Sequence, residues 1–292
     1  RLIRRQRQMC IRDRGRKDSM KISFVKLSGT GNDFIAIDNR EKVLPADLSH
    51  LSRKLCQRKY SIGADGLLIL ENTSSNDLMM RIFNPDGSEA EMCGNGARCL
   101  SYLVYRKKIR KGDKVKLKTL SGPLYAEIKD SSVRLKMPDP VNIQRNVKIK
   151  VGKKEFNVFY INTGVPHSII FVSRIDNVPV ESLGRVIRFH RHFSPAGTNV
   201  DFVWPKDHKT ILVRTYERGV EEETRACGTG AVAGAIIAGI ENRVTPPICV
   251  KTLSGDTLSV HYRLIPSKAI PVIRDVYLEG EVKLVYEGNI EV

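Results

Sequence analysis

Cys93 and Cys227 head two short turns, Cys93-Gly-Asn-Gly-Ala97 and Cys227-Gly-Thr-Gly-Ala231, and each turn leads into a stretch patterned as a helix. The start of a helix presents unpaired N–H groups and the positive end of the aligned peptide dipoles. A cysteine placed there is expected to hold its thiol below the ordinary value of ~8.5. The glycines that follow let backbone N–H groups close on an anion such as a carboxylate. Set face to face, two such turns put one sulfur on each side of a single carbon. One thiolate could then take the α-proton of an amino acid from one face while the opposite thiol returns a proton to the other. Helix-end N–H groups on the substrate carboxylate would stabilise the charge that develops between the two steps. An isolated Cys-Gly is more often an ordinary turn or a small buried residue; recurrence at matching positions singles out this pair. Cys10, Cys56, Cys99 and Cys249 have no such partner, and Cys99 is expected to face the core.

The recurrence is part of a longer internal repeat. Lys118-Thr-Leu-Ser-Gly122 returns as Lys251-Thr-Leu-Ser-Gly255, Thr30-Gly31 as Thr163-Gly164, and Arg81 as Arg214, all at an offset of 133; the Cys-Gly turns follow at 134. Four matches in one order at a nearly constant offset mean two copies of one structural unit. Each copy opens with strands (22–26 and 34–38; 156–161 and 168–172), continues with an apolar strand (78–83; 211–216), and reaches its Cys-Gly turn and helix. In the first helix Leu100, Leu103 and Val104 make an amphipathic stripe. The second, from Ala231 to Ile240, is apolar on every side, as a helix enclosed by protein must be. Further strands follow at 114–119, 124–128 and 133–136, and at 248–251, 258–261 and 276–279. The fold class expected is α/β (α+β): two pseudo-symmetric domains from an internal duplication, each a β-sheet or barrel wrapped around a central helix. The link between them should fall near Met137-Pro-Asp-Pro140.

Composition narrows the alternatives. Hydrophobic residues at 41% and charged residues at 28% are the balance of a globular chain. No apolar run reaches the about 20 residues of a spanning helix, so no membrane partner is expected. The net charge is +17, and residues 1–19 concentrate eight of the basic side chains against Asp13 and Asp18. That segment has neither an apolar core nor helical periodicity, and is read as a non-native or disordered basic extension before a natural start at Met20. A basic arm for nucleic acid is its rival, as is Arg106-Lys-Lys-Ile-Arg-Lys111. Such runs are usually solvated faces, no base-stacking motif accompanies them, and no nucleic-acid partner is expected. The cysteines form no CxxC pair and no zinc spacing, which suits free thiols in a reducing cytoplasm. Gly228-x-Gly230-x-x-x-Gly234 is off-register for a dinucleotide turn, no phosphate loop is present, and no lysine stands out as a pyridoxal site.

With these residues in place the chain resembles the diaminopimelate epimerase family. The likeness is carried by Leu27-Ser-Gly-Thr-Gly-Asn-Asp-Phe34, Arg81-Ile-Phe-Asn-Pro-Asp-Gly-Ser88, Cys93-Gly-Asn-Gly-Ala-Arg98, Tyr216-Glu-Arg-Gly219 and Ala226-Cys-Gly-Thr-Gly230, and it spans Met20 to Val292. It implies pyridoxal- and metal-independent interconversion of LL- and meso-2,6-diaminopimelate, on the route to lysine and peptidoglycan precursors, in a cytoplasmic homodimer without cofactor. It implies domains at 20–136 plus 279–292 and at 137–278, the last strand returning to the first domain. By the same resemblance Cys93 and Cys227 are the acid/base pair, and Asn32, Asn84 and Asn199 bind substrate. Gly94, Asn95, Gly228 and Thr229 cradle the reacting carboxylate. Glu217 and Arg218 receive the distal ammonium and carboxylate, a pairing that suits a substrate with an amino-acid head at each end. His167, with Glu217, tunes the cysteines.

Two positions depart from the family pattern. Val165 stands where many relatives carry an asparagine for the far carboxylate, with Asn162 as the nearest substitute, and Gly66 stands where some carry a glutamine. The rival functions are a proline or hydroxyproline racemase, which would have no use for Glu217-Arg218, and, more remotely, a redox protein in which Cys93 and Cys227 form a working disulfide.

Overall fold

A computed structural model describes residues 20–267 and 271–292; the basic extension read at 1–19 lies outside the described residues. The first half runs β1 (Lys21–Gly29), β2 (Asn32–Asp38), α1 (Leu48–Leu55), β3 (Gly66–Asn72), β4 (Leu78–Phe83), β5 (Glu89–Ala90), α2 (Gly94–Arg106), β6 (Lys114–Thr119), β7 (Gly122–Lys129) and β8 (Ser132–Lys136). After β9 (Val141–Val151) the second half repeats the order: β10 (Lys154–Asn162), β11 (Pro166–Phe171), α3 (Val180–Arg188), β12 (Asn199–Pro205), β13 (Thr210–Tyr216), β14 (Glu223–Thr224), α4 (Gly228–Ile240), β15 (Ile248–Lys251), β16 (Thr257–Ile265) and β17 (Val272–Glu281). β18 (Lys283–Glu291) closes the chain. β1 and β10 correspond at both ends at the offset of 133, as do β3 and β12, while α2 and α4 correspond at 134. The duplicated, sheet-dominated α/β fold expected from the sequence is the one found.

Strand pairing follows the repeat. β1 pairs antiparallel with β2, β2 parallel with β3, and β3 antiparallel with β4. In the second half β10, β11, β12 and β13 pair in the same senses. β9 lies on β10, and β18 crosses back to lie on β1 in the other half. The halves are also sewn together where β8 pairs with β17, and there Glu279 accepts from Ser132 at 2.7 Å and Arg134 at 2.9 Å. Residues 137–140, the expected link, lie outside any strand between β8 and β9.

Each long helix is packed inside its own sheet. α2 turns Leu100, Leu103 and Val104 into the core, and α4 is buried from Gly230 through Ile240. α4 can be enclosed this closely because it is rich in Gly and Ala: a Cβ on Gly234 would stand 3.0 Å from Val203, and one on Gly239 would strike the Tyr262 hydroxyl. Both helices contribute to one continuous apolar core. Smaller cores lie beneath α1 and α3. Among the described residues no helix is long and apolar enough to cross a membrane.

Candidate active site

Each cysteine is the cap residue of its helix, in extended backbone conformation: Cys93 before α2 and Cys227 before α4. Cys93 Sγ accepts from the Gly96 N–H at 3.5 Å, and Cys227 Sγ lies 3.5 Å from the Thr229 hydroxyl. Cys93 is half-buried and Cys227 is buried, and both are free. The thiols do not behave as the helix starts alone suggest. Burial pushes both upward, and the N–H groups of Gly96 and Asn95 and the nearby Arg98 only partly offset this for Cys93. Cys227 is driven well above the ordinary range by burial, with the Glu217 and Asp201 carboxylates adding to it. The expectation of lowered thiols is therefore corrected: loss of water outweighs the helix end.

A tight turn touches both of the segments that carry the cysteines. β1 and β2 are joined by Thr30-Gly31, with Gly29 opposite Asn32, and the positive φ of 47° at Thr30 and 82° at Gly31 makes this a two-residue hairpin of the kind that glycine favours. On one side the turn is tied to the start of α2. Asn95 Nδ2 donates to Asn32 Oδ1 at 2.6 Å and to the Thr30 carbonyl at 3.2 Å. On the other side a Cβ on Gly31 would stand 3.1 Å from Ser254 and 3.4 Å from Ala226, the residue before Cys227. Asn32 also donates to Asp65 at 3.2 Å, and Asp65 and Asp33 share the Arg58 guanidinium. Burial would raise the Asp33 carboxyl, but Arg58 and Lys26 bring it down to about 2.

On the second-half side, the Glu217 carboxylate acts electrostatically on both sulfurs and raises both thiols. Burial raises the Glu217 carboxyl, opposed by the Thr224 hydroxyl and by His167. No Lys or Arg pairs with Glu217 among the described residues, and no carboxylate pairs with Arg218. The acidic neighbours, by contrast, are structural: Glu223 holds Arg214 at 2.6 Å and Glu221 holds Arg188 at 3.0 Å. Asn199 donates to the Pro166 carbonyl at 3.0 Å and accepts from the Arg218 N–H at 2.7 Å, so its amide fixes the Arg218 loop. His167 is fully buried; its Nδ1 meets Asp201 Oδ2 at 2.7 Å, and Nε2 has no partner.

Asn84 is exposed at a turn, where its amide donates to Ser88 at 2.9 Å. Asn162 Oδ1 accepts from Gly164 N–H at 2.9 Å, beside Val165. A Cβ on Gly66 would lie 3.2 Å from the Phe83 carbonyl and 3.3 Å from the Phe34 ring, so a side chain there needs these neighbours to give way by a few tenths of an ångström. Three residues that sequence reasoning passed over belong to the neighbourhood: Arg98, Asp201 and Thr215. Arg98 closes the Cys93-Gly-Asn-Gly-Ala-Arg98 motif. Asp201 lies two residues from Asn199 on one strand, and that period places both on one face. Among the described residues no group of three or more His, Cys, Asp or Glu is placed to hold a metal.

Comparison with solved structures assigns the fold. A hydroxyproline epimerase from Agrobacterium vitis matches with a TM-score of 0.67 at 14% identity, over 93% of each chain. A phenazine biosynthesis protein of the PhzF family from Bacillus anthracis matches with a TM-score of 0.68 at 15% identity, over 94% of this chain and 100% of its own. These likenesses define the fold, which in this chain carries a thiol at each of two duplicated helix starts. The sequence model described as diaminopimelate epimerase matches residues 24–143 and 159–262. The diaminopimelate epimerase of Aquifex aeolicus is 41% identical over 92% of this chain and 98% of its own, and that of Hydrogenobaculum is 40% identical over 91% and 97%. The chain belongs to the diaminopimelate epimerase family.

The helix starts differ in how much they tolerate. A Cβ on Gly230 would strike the Asp201 carboxylate and come within 3.1 Å of Thr215, whereas one on Gly94 meets nothing within 4 Å. Urea denaturation should show Gly230→Ala destabilised by about 1–3 kcal/mol and Gly94→Ala within about 0.5 kcal/mol of the parent. Equal stability of the two variants would contradict this packing.

Proposed function

We propose that this chain interconverts LL- and meso-2,6-diaminopimelate by two-base chemistry at Cys93 and Cys227. The observation that carries the reading is the shared neighbourhood of the sulfurs: Glu217 acts on both, and the Thr30-Gly31 turn is bound to Asn95 and packed on Ala226. The thiolate of one cysteine removes the α-proton, leaving its electron pair on the α-carbon and delocalised into the carboxylate. The N–H groups of Gly94 and Asn95, and of Gly228 and Thr229, stabilise that charge as they would an oxyanion. The other thiol gives its proton to the opposite face, so one thiolate is consumed and one formed. A substrate ammonium supplies positive charge beside Glu217 and the sulfurs, and its arrival favours ionisation of the thiol. Arg218, without a carboxylate partner, suits the distal carboxylate, with Asn32 and Asn84 at the substrate-facing turns and Asn199 holding the Arg218 loop. His167 supports Glu217 electrostatically.

The two halves are read as domains 20–136 with 279–292 and 137–278 that close on substrate, the assignment of β18 being supported by its pairing with β1. The same reading places the enzyme in lysine and peptidoglycan precursor synthesis in the cytoplasm, as a homodimer. The guanidinium of Arg218, which donates to the Ala196 carbonyl at 3.3 Å and pairs with no carboxylate among the described residues, favours a two-headed substrate over proline or hydroxyproline.

Incubation of the protein with LL-diaminopimelate in deuterated water, without pyridoxal phosphate or metal, should give meso product with deuterium at the inverted carbon. Cys93→Ala and Cys227→Ala should each lose turnover by at least about 10²–10⁴-fold, the range of a general acid or base. Full turnover in either variant, or equal turnover of proline, sinks the proposal. The pH dependence follows from the thiol shifts. Burial raises both thiols, so at neutral pH the free enzyme holds little thiolate, and its share grows about tenfold per pH unit below the thiol pKa. The kcat/KM should therefore climb with pH above 7; a plateau already reached at pH 6–7 contradicts the buried-thiol account.

A further inference from the structure

The duplication is broken beneath the two cysteines, and it is broken in charge. Under the start of α2, a Cβ on Gly96 would meet Leu68 at 2.9 Å and Ile82 at 3.3 Å. Under the start of α4, the equivalent Gly230 faces the Asp201 carboxylate and the Thr215 hydroxyl. Leu68 and Asp201, Ile82 and Thr215, and Phe34 and His167 are pairs at the offset of 133. Three apolar side chains in one half are thus a hydrogen-bonded polar cluster in the other: His167 Nδ1 to Asp201 Oδ2 at 2.7 Å, and Thr215 Oγ1 to Asp201 Oδ1 at 2.7 Å.

The opposite exchange occurs one turn into the helix. Arg98 of α2 is fully buried, and its counterpart in α4 is the buried Val232. Arg98 Nη2 donates to Asn95 Oδ1 at 2.7 Å and to Thr30 Oγ1 at 2.9 Å, and no carboxylate pairs with it among the described residues. Its Nε and Nη1 have no partner among the described residues. A guanidinium stays protonated even where burial disfavours it. One half therefore buries a cation by its cysteine and the other buries a carboxylate by its own. Asp201 also sits in the field of the α4 N–H groups that would otherwise serve Cys227. The charged groups that act on Cys93 are Arg98 and Glu217, and those that act on Cys227 are Glu217 and Asp201. Burial is the largest influence on each thiol and Glu217 acts on both, so the charges that distinguish the two are Arg98 and Asp201.

We propose that Arg98 and Asp201 are positioning residues that order the two thiols, so that Cys93 ionises before Cys227: the small thiolate share of the free enzyme sits on Cys93, and Cys227 keeps its proton. This rests on the two-base reading of the site. The burial-driven rise of Cys227 well above the ordinary range, and the opposing contribution of Arg98 at Cys93, agree with that order. The free enzyme is then poised for the stereoisomer whose α-hydrogen faces Cys93.

The test is alkylation of the full chain by iodoacetamide between pH 6 and 10, with each cysteine followed separately by peptide mass spectrometry. The midpoint of each pH profile reports protonation, while exposure changes only the plateau. The midpoint for Cys93 should lie at least about one pH unit below that for Cys227, a roughly tenfold larger thiolate share at any pH below both. Asp201→Asn should lower the Cys227 midpoint and leave Cys93 in place; Arg98→Met should raise the Cys93 midpoint, and Arg98→Lys should restore it. Coincident or inverted midpoints in the parent protein overturn the proposal, even where a variant fails to fold. The readout needs no turnover, so ordered thiols without activity on diaminopimelate would sink the proposed function alone, and activity with coincident midpoints would sink this inference alone.

Discussion

The removal of two thiols from water is the constraint on which the site turns. Helix-end N–H groups favour a thiolate, yet enclosure at the same place disfavours it more, and both thiols rise. A site built this way keeps its sulfurs protonated until compensating charge arrives. A zwitterionic substrate brings an ammonium toward Glu217 and a carboxylate toward the N–H groups, so the charges that activate the base are those that identify the ligand. Enclosure also strengthens every electrostatic contact made there, including contacts to the charge that develops as a proton leaves.

Symmetric scaffolding and asymmetric chemistry come from different layers of the molecule. The strands keep their order and sense across a nearly constant offset because each half must enclose one helix. Gly96 and Gly230 are both glycine because the floor of each helix start lies too close for a side chain. Beneath that shared backbone the floors differ, Leu68 and Ile82 against Asp201 and Thr215. Exchange between apolar and polar side chains of similar volume can change electrostatics without moving the fold, provided that each buried polar atom finds a partner. Asp201 does, through His167 and Thr215. Arg98 does so only through Nη2, and its two unpartnered nitrogens mark a cost that packing alone does not explain.

Much of this was legible in the sequence. The repeat, the two helices, their caps and most strands were readable because local pattern and tertiary position agree: Cys-Gly-x-Gly before an apolar run is a helix start in either context. β3 and β12 escaped notice, since Leu67 to Leu70 is a continuous apolar run buried on both faces, with no alternation to reveal it. α1 and α3 escaped because helices of 8 and 9 residues offer little periodicity. The thiol direction was misread for a physical reason. A cap motif reports the helix end but says nothing of how much water remains, and the balance at the thiol is set by residues far away in the chain, among them Glu217, whose charge is felt at Cys93. Asn199 shows a similar limit: its type suits a ligand, while its partners, Pro166 and Arg218, are visible only once β11 lies beside β12.

The central claim is that the two sulfurs flank one carbon. A crystal structure of the protein with diaminopimelate bound tests it most directly. The account predicts Cys93 Sγ and Cys227 Sγ on opposite faces of the same α-carbon, each within about 3–3.5 Å as reacting atoms must be. Sulfurs on one face, or a substrate whose α-carbon is reached by a single thiol in the closed state, would contradict it.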